Sequence, residues 1–353
     1  ASLIGKSGKA FRPLVAGLCA LPMLVMCAPP VDDAGTPRRI ARQVDQLLTS
    51  MAQTELAADP ELATRLGLSK DTAGYEFNAY LTDRSQAAYE RMRVTRLETL
   101  EALLAAPRPA AGGNQARHLD TVIHAYETAE TLFVAGHGQT GLGQAYPYVA
   151  DHMRGAYIDI PDLMTRSHPV NTAQEARDYV ARLSQIAPTL QDERRRMEAD
   201  ARSGIMPPVF ILERMQGLIE EIATGPAQEH VLVTTLENLM GGPEDLSEAE
   251  SETLLETATA LVRDDVLPAY SDFWIALEKM KEVAPQEPGV WQLPDGESYY
   301  DAALQAYTYE GMTAEALHAQ GVAEVERLSH ELMQALEAQG YAEGTLGERL
   351  ALL

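Results

Sequence analysis

Histidine, the commonest metal ligand and general base in proteins, occurs eight times in this chain. No two of these histidines stand four residues apart, so the H-E-x-x-H arrangement that binds zinc on one helix face is absent. His330 and Glu331 begin such a pattern, but Gln334 occupies the position of the second histidine. We therefore predict no catalytic residue and no metal ligand within this chain.

Nucleophilic catalysis and phosphate binding also lack their motifs. The sequence contains no G-x-S-x-G elbow, and its two cysteines, Cys19 and Cys27, lie near the N-terminus. The glycine-rich stretch 136–143 has neither the lysine nor the preceding strand of a phosphate-binding loop. These patterns argue against a thiol or serine hydrolase and against a nucleotide-binding enzyme.

Polar and aromatic residues gather in a glycine- and proline-rich stretch, 136–170. A loop of this length inside a domain is usually functional or disordered. Because it contains the aromatic residues Tyr146, Tyr148 and Tyr157, we expect it to be ordered, with short helical turns. Side chains on such loops commonly line binding clefts. The alternative is a structural loop whose polar groups cap helices and bind one another. Our cleft candidates here are His137, Tyr148, His152, Arg154, Tyr157 and His168.

A second cluster of tyrosines lies at 298–313, just before a predicted helix. Paired tyrosine hydroxyls can bind a peptide carbonyl or the oxyanion of a tetrahedral intermediate. The competing interpretation is aromatic packing in a core, with the hydroxyls turned toward solvent. Tyr299, Tyr300 and Tyr307 complete the cleft candidates.

The elements that must position these residues are predicted to be helices. Apolar residues recur at helical spacing through most of the chain, and no strand-period segment exceeds a few residues. We predict a mainly α fold, one multi-helix domain over 36–353 with a long ordered Gly/Pro-rich loop. The predicted helices begin at Thr36 and continue over 84–105, 118–133, 172–186, 191–202, 209–223, 247–265, 268–283 and 313–339.

Charge and the N-terminal segment predict the protein's surroundings. The formal net charge is −24, and such an acidic surface repels phosphate backbones, so we expect no nucleic-acid partner. Residues 1–28 combine basic residues with an apolar run, 14–26, that is too short to span a bilayer, which indicates a secretory leader. Cys27 at the end of this run is a candidate for lipidation, and plain cleavage nearby is the alternative. We expect an exported protein, periplasmic or in the cell envelope, that contacts a membrane only through a lipid anchor.

Several stretches of the sequence resemble domain-of-unknown-function family 885, a bacterial family regarded as candidate zinc metallopeptidases. Together they extend over about residues 45–350. They are PELATRLGL (60–68), DRS (83–85), PYV (147–149), GAY (155–157), PD (161–162), HPV (168–170), ARSGIMPPVFIL (201–212), GVW (289–291), LPDG (293–296), YY (299–300), MT (312–313), LH (317–318), GV (321–322) and EV (324–325).

The resemblance implies a largely helical fold with a deep cleft, a peptide substrate, and zinc bound by H-E-x-x-x-G-H-like and distal Glu ligands. In the family these ligands lie C-terminal to the stretch present here. We therefore expect this chain to be the N-terminal portion of an exported zinc-dependent peptidase, truncated at its C-terminus and inactive without the missing C-terminal half. The alternative is a non-catalytic helical binding protein or lipoprotein of the cell envelope. A histidine and glutamate metal motif beyond residue 353 would decide between them.

Overall fold

The computed structural model describes residues 35–109, 113–133, 138–142, 144–309 and 311–353. The predicted leader with Cys27, and the candidate His137, lie outside the described residues. The helices are α1 (Gly35–Ala58), α2 (Pro60–Arg65), α3 (Lys70–Ala73), α4 (Gln86–Ala105), α5 (Asn114–Leu132), α6 (Ala156–Arg166), α7 (Ala173–Arg202), α8 (Val209–Ile222), α9 (Val231–Leu239), α10 (Glu248–Leu261), α11 (Leu267–Lys281), α12 (Gly296–Tyr307), α13 (Ala314–Ala338) and α14 (Leu346–Leu350).

The predicted mainly α fold is confirmed. Strand structure in the described residues is a short antiparallel hairpin, β1 (Gln139–Gly141) and β2 (Gln144–Tyr146). Helix starts follow local rules: the side chains of Thr172, Ser247 and Thr313 each accept a hydrogen bond from a backbone N–H in the first turn of the helix that follows.

The two helices predicted at 172–186 and 191–202 are a single helix, α7, with Pro188 inside it. A proline in a helix interior removes one backbone hydrogen bond and usually ends or kinks the helix. On both sides of Pro188 the helix buries side chains, among them Ile186 and Leu190, and this packing offsets the local cost. The predicted break between the two segments was therefore wrong.

Part of the predicted loop 136–170 is also helical. α6 continues through Pro161, which cannot donate to the carbonyl of Tyr157 four residues earlier. The hydroxyl of Tyr270 donates to that carbonyl instead, at 2.8 Å. The bond left unmade within α6 is thus replaced by one from α11, more than one hundred residues away in the sequence.

The main core lies between α6, α7, α8, α10 and α11, where the fully buried residues include Tyr157, Tyr179 and Phe273. A π-helical segment, Val262–Val266, joins α10 to α11, whose second residue is Pro268. A smaller apolar cluster packs α1 against α4 and α5, around Val44 and Leu103. No helix in the described ranges is both long and apolar enough to cross a lipid bilayer.

Candidate functional site

The β1–β2 hairpin is held in place by the C-terminal half of α7. The backbone N–H of Gly138 donates to the carboxylate of Asp200 at 3.1 Å, and its carbonyl accepts from Arg196 Nη2 at 3.0 Å. Gly138 has a φ of 69°, and a Cβ built there would overlap the carbonyl oxygen of Tyr146. Glycine is therefore required at this position for the hairpin to close.

The segment after β2 forms a tight turn. The N–H of Asp151 donates to the carbonyl of Arg154 at 3.0 Å, and the Asp151 carboxylate accepts from the N–H of Met153 at 2.7 Å. The hydroxyl of the fully buried Tyr157 donates to the carbonyl of Asp151 at 2.8 Å. Tyr157 thus anchors the turn that presents His152 and Arg154.

The two tyrosine-bearing stretches predicted from the sequence meet at this turn. The Arg154 guanidinium lies over the ring of Tyr146, 3.1 Å from its centroid. Burial contributes most to the pKa shift of Tyr299 on α12, and the neighbouring groups that contribute after it are Tyr307, Tyr89, Arg154 and Tyr148. We name these six residues the tyrosine–arginine cluster: Tyr89, Tyr146, Tyr148, Arg154, Tyr299 and Tyr307.

Burial fixes the protonation of the inner tyrosines of the cluster. Tyr148 and Tyr299 are buried, and burial raises the pKa of both phenols above the ordinary value. Both hydroxyls therefore stay protonated at neutral pH and keep a proton to donate. Tyr307 on the outer side is 61% exposed, and its neighbour Tyr300 is 45% exposed.

Arg154 keeps donor capacity beyond the contacts made within the fold. Its buried Nε and Nη1 atoms have no hydrogen-bond partner among the described residues, although Nε lies 3.3 Å from the carboxylate of Asp151. Nδ1 of His152 is likewise buried without such a partner among the described residues. Unmet buried donors are costly in a folded protein, so a bound acceptor at this turn would be stabilising.

α4 and α5 add a further wall to the cluster. The ring of Tyr89 stacks on Phe133 at 5.3 Å, and the Arg196 guanidinium lies 4.4 Å from the centroid of Tyr89. The cavity between α4 and α5 beside these rings has a volume of about 20 Å³, which is room for a water molecule and no more. This cavity between α4 and α5 is therefore too small to hold a peptide side chain.

His168 does not lie in the tyrosine–arginine cluster. It is buried, with Nδ1 accepting from Arg182 at 3.0 Å and Nε2 donating to the carbonyl of Glu175 at 3.1 Å. Burial and the adjacent Arg182 lower the pKa of His168 to about 4. His168 is thus a neutral histidine bound on both ring nitrogens inside the fold.

The sequence analysis did not predict a buried network of charged residues that lies behind the cluster. Arg84 donates two hydrogen bonds to the Glu61 carboxylate, at 2.6 and 3.1 Å, and lies 3.5 Å from Glu193 and 3.7 Å from Asp159. Glu193 also accepts from the N–H of Ala156, at 2.7 Å. The network joins α2, α6 and α7 directly beneath the turn that presents Arg154.

The pKa values of the two glutamates in this network are shifted in opposite directions. Burial alone would raise the pKa of Glu61, but the paired Arg84 and the Thr82 N–H lower it below the ordinary value. Burial raises the pKa of Glu193 to about 7, because the opposing effects of Arg84 and the Ala156 N–H are weaker. Glu61 and Arg84 lie in two of the stretches that resemble the family, and this signal could have drawn attention to them. Glu193 lies in a predicted helix with many charged residues, where nothing in the sequence distinguishes it from its neighbours.

The family resemblance implies zinc, and a protein zinc site needs at least three ligating side chains close together. No group of three or more His, Cys, Asp or Glu side chains in the described part of the chain is placed to hold a metal ion. The described residues therefore do not fit a zinc site.

Comparison with solved structures shows a similar fold in another bacterial protein. A crystal structure of a candidate lipoprotein from Colwellia psychrerythraea superposes with a TM-score of 0.81 and 24% sequence identity. The match covers 88% of this chain and 53% of the other, so this chain spans about half the length of that protein. At this identity the likeness establishes the fold alone.

Sequence comparison assigns the family. No curated protein matches the chain significantly. The profile of one bacterial family matches residues 60–353, which is most of the chain and includes every cluster residue. The chain belongs to the family described as bacterial protein of unknown function (DUF885).

Proposed function

We propose that this chain forms part of the substrate-cleft wall of an exported zinc-dependent peptidase, whose zinc ligands lie outside the chain. The observation that supports this most is that Tyr299 on α12 has Arg154, Tyr148 and Tyr307 as neighbours. The family resemblance adds the reaction class, and the greater length of the Colwellia protein is consistent with a larger enzyme.

The chemistry of the cluster suits a peptide. The phenols of Tyr148 and Tyr299 are protonated donors. Nε and Nη1 of Arg154, in the same cluster, have no hydrogen-bond partner within the part of the chain that the structure describes. An extended peptide offers carbonyl oxygens that such donors bind. The exposed rings of Tyr300 and Tyr307 provide apolar surface for its side chains. In this proposal these residues orient the peptide and contribute no nucleophile or base.

Export belongs to the same proposal. The predicted leader ends near Cys27, and the Colwellia protein of similar fold is described as a candidate lipoprotein. A peptidase anchored by lipid to the cell envelope would act on peptides outside the cytoplasm. Labelling of the native protein with a radioactive fatty acid, and loss of the label in Cys27→Ser, would establish the anchor.

The first prediction tests the cluster itself. In the complete gene product, Tyr299→Phe removes one donor, and we expect kcat/KM for peptide hydrolysis to fall by about 10-fold or more. Tyr307→Phe should have a smaller effect, because that ring is largely exposed. Tyr80→Phe is the matched control, since Tyr80 is an exposed tyrosine outside the cluster. Wild-type kcat/KM in Tyr299→Phe would refute the proposed role.

Zinc content decides the reaction class. We expect about one zinc per molecule in the complete gene product, as a catalytic site requires. A product that binds peptides through the cluster but holds no zinc would instead identify the non-catalytic binding protein of the envelope. Metal analysis and peptide-binding calorimetry on one sample distinguish the two outcomes.

A further inference from the structure

One amphipathic helix of this chain exposes its apolar face. From Val322 onward, apolar residues recur every three to four positions along α13, and Leu336 is the buried one in this helix, all of whose residues are described. Five large apolar residues of the helix are exposed, with Val325 at 64%. We name them the α13 stripe: Leu317, Val322, Val325, Leu328 and Leu332.

The packing of α13 leaves the stripe uncovered. The helix packs chiefly against the short α14, where the turn 339–341 returns the chain to the carbonyl of Leu336. A helix in a folded protein gains most of its stability from burying its apolar face. A contiguous exposed apolar surface of this kind usually marks an interaction site. The stripe is therefore a candidate docking surface.

Resting on the proposed function, we propose that a further segment of the same gene product, outside residues 1–353, packs an apolar helix face against the α13 stripe. The similar Colwellia chain is almost twice as long as the part that this chain matches, so a segment of sufficient size exists in a protein of this fold. Such a helix-on-helix contact would bury the stripe as a core does.

Charge disfavours the other occupants. α13 has five glutamates and one arginine, in a chain of formal net charge −24. Two copies of this helix packed together would bring like charges together, which is destabilising. Helices that lie on membranes have a polar face rich in lysine and arginine, and α13 lacks one.

The position of α13 connects the occupant to the candidate site. α12, which holds Tyr299 and Tyr307, ends seven residues before α13 begins, and the side chain of Gln305 donates to the carbonyl of Met312 at 2.9 Å. Met312 is buried at this junction. A segment on the α13 stripe would thus stand near the exposed tyrosines of α12 and could form the facing wall of the cleft.

Cysteine accessibility tests the proposal without relying on activity. In a background with Cys19→Ser and Cys27→Ser, the chain has no other cysteine. Val325→Cys places a thiol in the stripe, and Ala323→Cys places one on the far side of the same helix, where Ala323 is exposed. Leu328→Cys is a second stripe variant, should Val325→Cys fail to fold. The rate of maleimide labelling is measured in the complete gene product and in the 353-residue chain.

We expect labelling at Val325→Cys to be at least about 10-fold slower than at Ala323→Cys in the complete gene product, because a packed thiol reacts only after local opening. In the dilute 353-residue chain the two rates should be similar. Equal rates in the complete gene product would overturn the proposal. So would a native product of only 38.5 kDa, or protection in the 353-residue chain that grows with its concentration, which indicates a second copy.

The experiments can refute the docking proposal and the proposed function independently of each other. Protection of the stripe in a complete product that hydrolyses no peptide would refute the peptidase and retain the docking surface. Peptide hydrolysis that depends on Tyr299, in a product with an unprotected stripe, would do the reverse.

Discussion

Glu61 and Glu193 show at the residue scale how one arginine can hold two carboxylates in different states. Both approach Arg84, but Glu61 receives two hydrogen bonds of 2.6 and 3.1 Å, whereas Glu193 lies 3.5 Å away. Both are buried, so the quality of the pairing decides the direction of each pKa shift. Glu61 remains ionised, and Glu193, with a pKa of about 7, changes charge near neutrality.

Glu193→Gln should remove a pH dependence of stability. The pKa of Glu193 is about 7 in the folded state and about 4.5 in the unfolded chain, so the folded state alone keeps this proton between those values. Wild-type stability from this group is therefore present below pH 4.5 and is lost as the pH rises through 7. Relative to wild type, the free energy of unfolding of Glu193→Gln should rise by up to about 3 kcal/mol between about pH 5 and pH 8.

Urea denaturation of both proteins at the two pH values measures this difference. The buried His168 has the opposite dependence, because its lowered pKa of about 4 makes the fold less stable as the pH falls from 6.5 toward 4. His168 is present in both proteins, so its effect cancels in the comparison. A difference in stability that stays constant with pH would show that Glu193 does not titrate as described.

At the scale of elements, Arg182 joins α7 to the segment before α4. Its guanidinium donates to the carbonyls of Tyr80 and Phe77, at 2.9 and 3.2 Å, and to the hydroxyl of Thr64 at 2.6 Å. It is fully buried, and it also binds His168. Two of these acceptors, the carbonyls of Phe77 and Tyr80, lie on a stretch of chain that has no helix or strand of its own to bind them.

Arg182→Met should therefore destabilise the protein strongly. The substitution fills much of the volume but leaves several buried acceptors without donors, and we expect a loss of about 3–5 kcal/mol in the free energy of unfolding. Arg177→Met is the control on the same helix, since its pair with Glu250 is partly exposed and worth at most about 1 kcal/mol. Similar losses in the two variants, by chemical denaturation, would contradict the role of Arg182.

The hairpin before the cluster allows a second test at this scale. Gly138→Ala forces a side chain into the left-handed backbone region and against the Tyr146 carbonyl, and we expect a cost of about 1–3 kcal/mol. Gly217→Ala is the control, because Gly217 is within α8 and a Cβ there meets nothing. That substitution should stabilise by about 0.5–1 kcal/mol. Thermal unfolding distinguishes the opposite signs, and equal signs would count against the required turn.

At the scale of the whole molecule, α13 and α14 stand apart from the main core. Deletion of residues 314–353 removes Leu336 as its one buried apolar residue among those described, and retains the buried Met312. We expect the Tm of the remaining chain to fall by only a few degrees. Leu183→Ala, in the main core, should lower stability by about 2–5 kcal/mol and serves as the comparison. Loss of cooperative unfolding in the deletion variant would show that α13 stabilises the main core.

The candidate site was partly predictable from its residues. Tyr148, Arg154, Tyr299 and Tyr307 were expected to line a cleft, and the structure brings them together, although their role stays a prediction. Tyr89 was not foreseen, because nothing in a helical segment 57 residues before Tyr146 marks it as a neighbour of that loop. Tyr157 and His168, also expected in the cleft, lie inside the fold, since a polar side chain in a loop stretch gives no sign of which way it points.

What this sequence determined by itself is local: the mainly α class, and helix starts such as those after Thr172, Ser247 and Thr313, where a side chain binds its own first turn. Tertiary structure decided whatever depended on distant partners. α6 continues through Pro161, where the hydroxyl of Tyr270 binds the carbonyl that the proline leaves without a donor. Glu193 is buried beside Arg84, which also binds Glu61, and both residues come from much earlier in the chain. The physical reason is that burial and hydrogen bonding between distant segments outweigh local preferences of about 1 kcal/mol per residue.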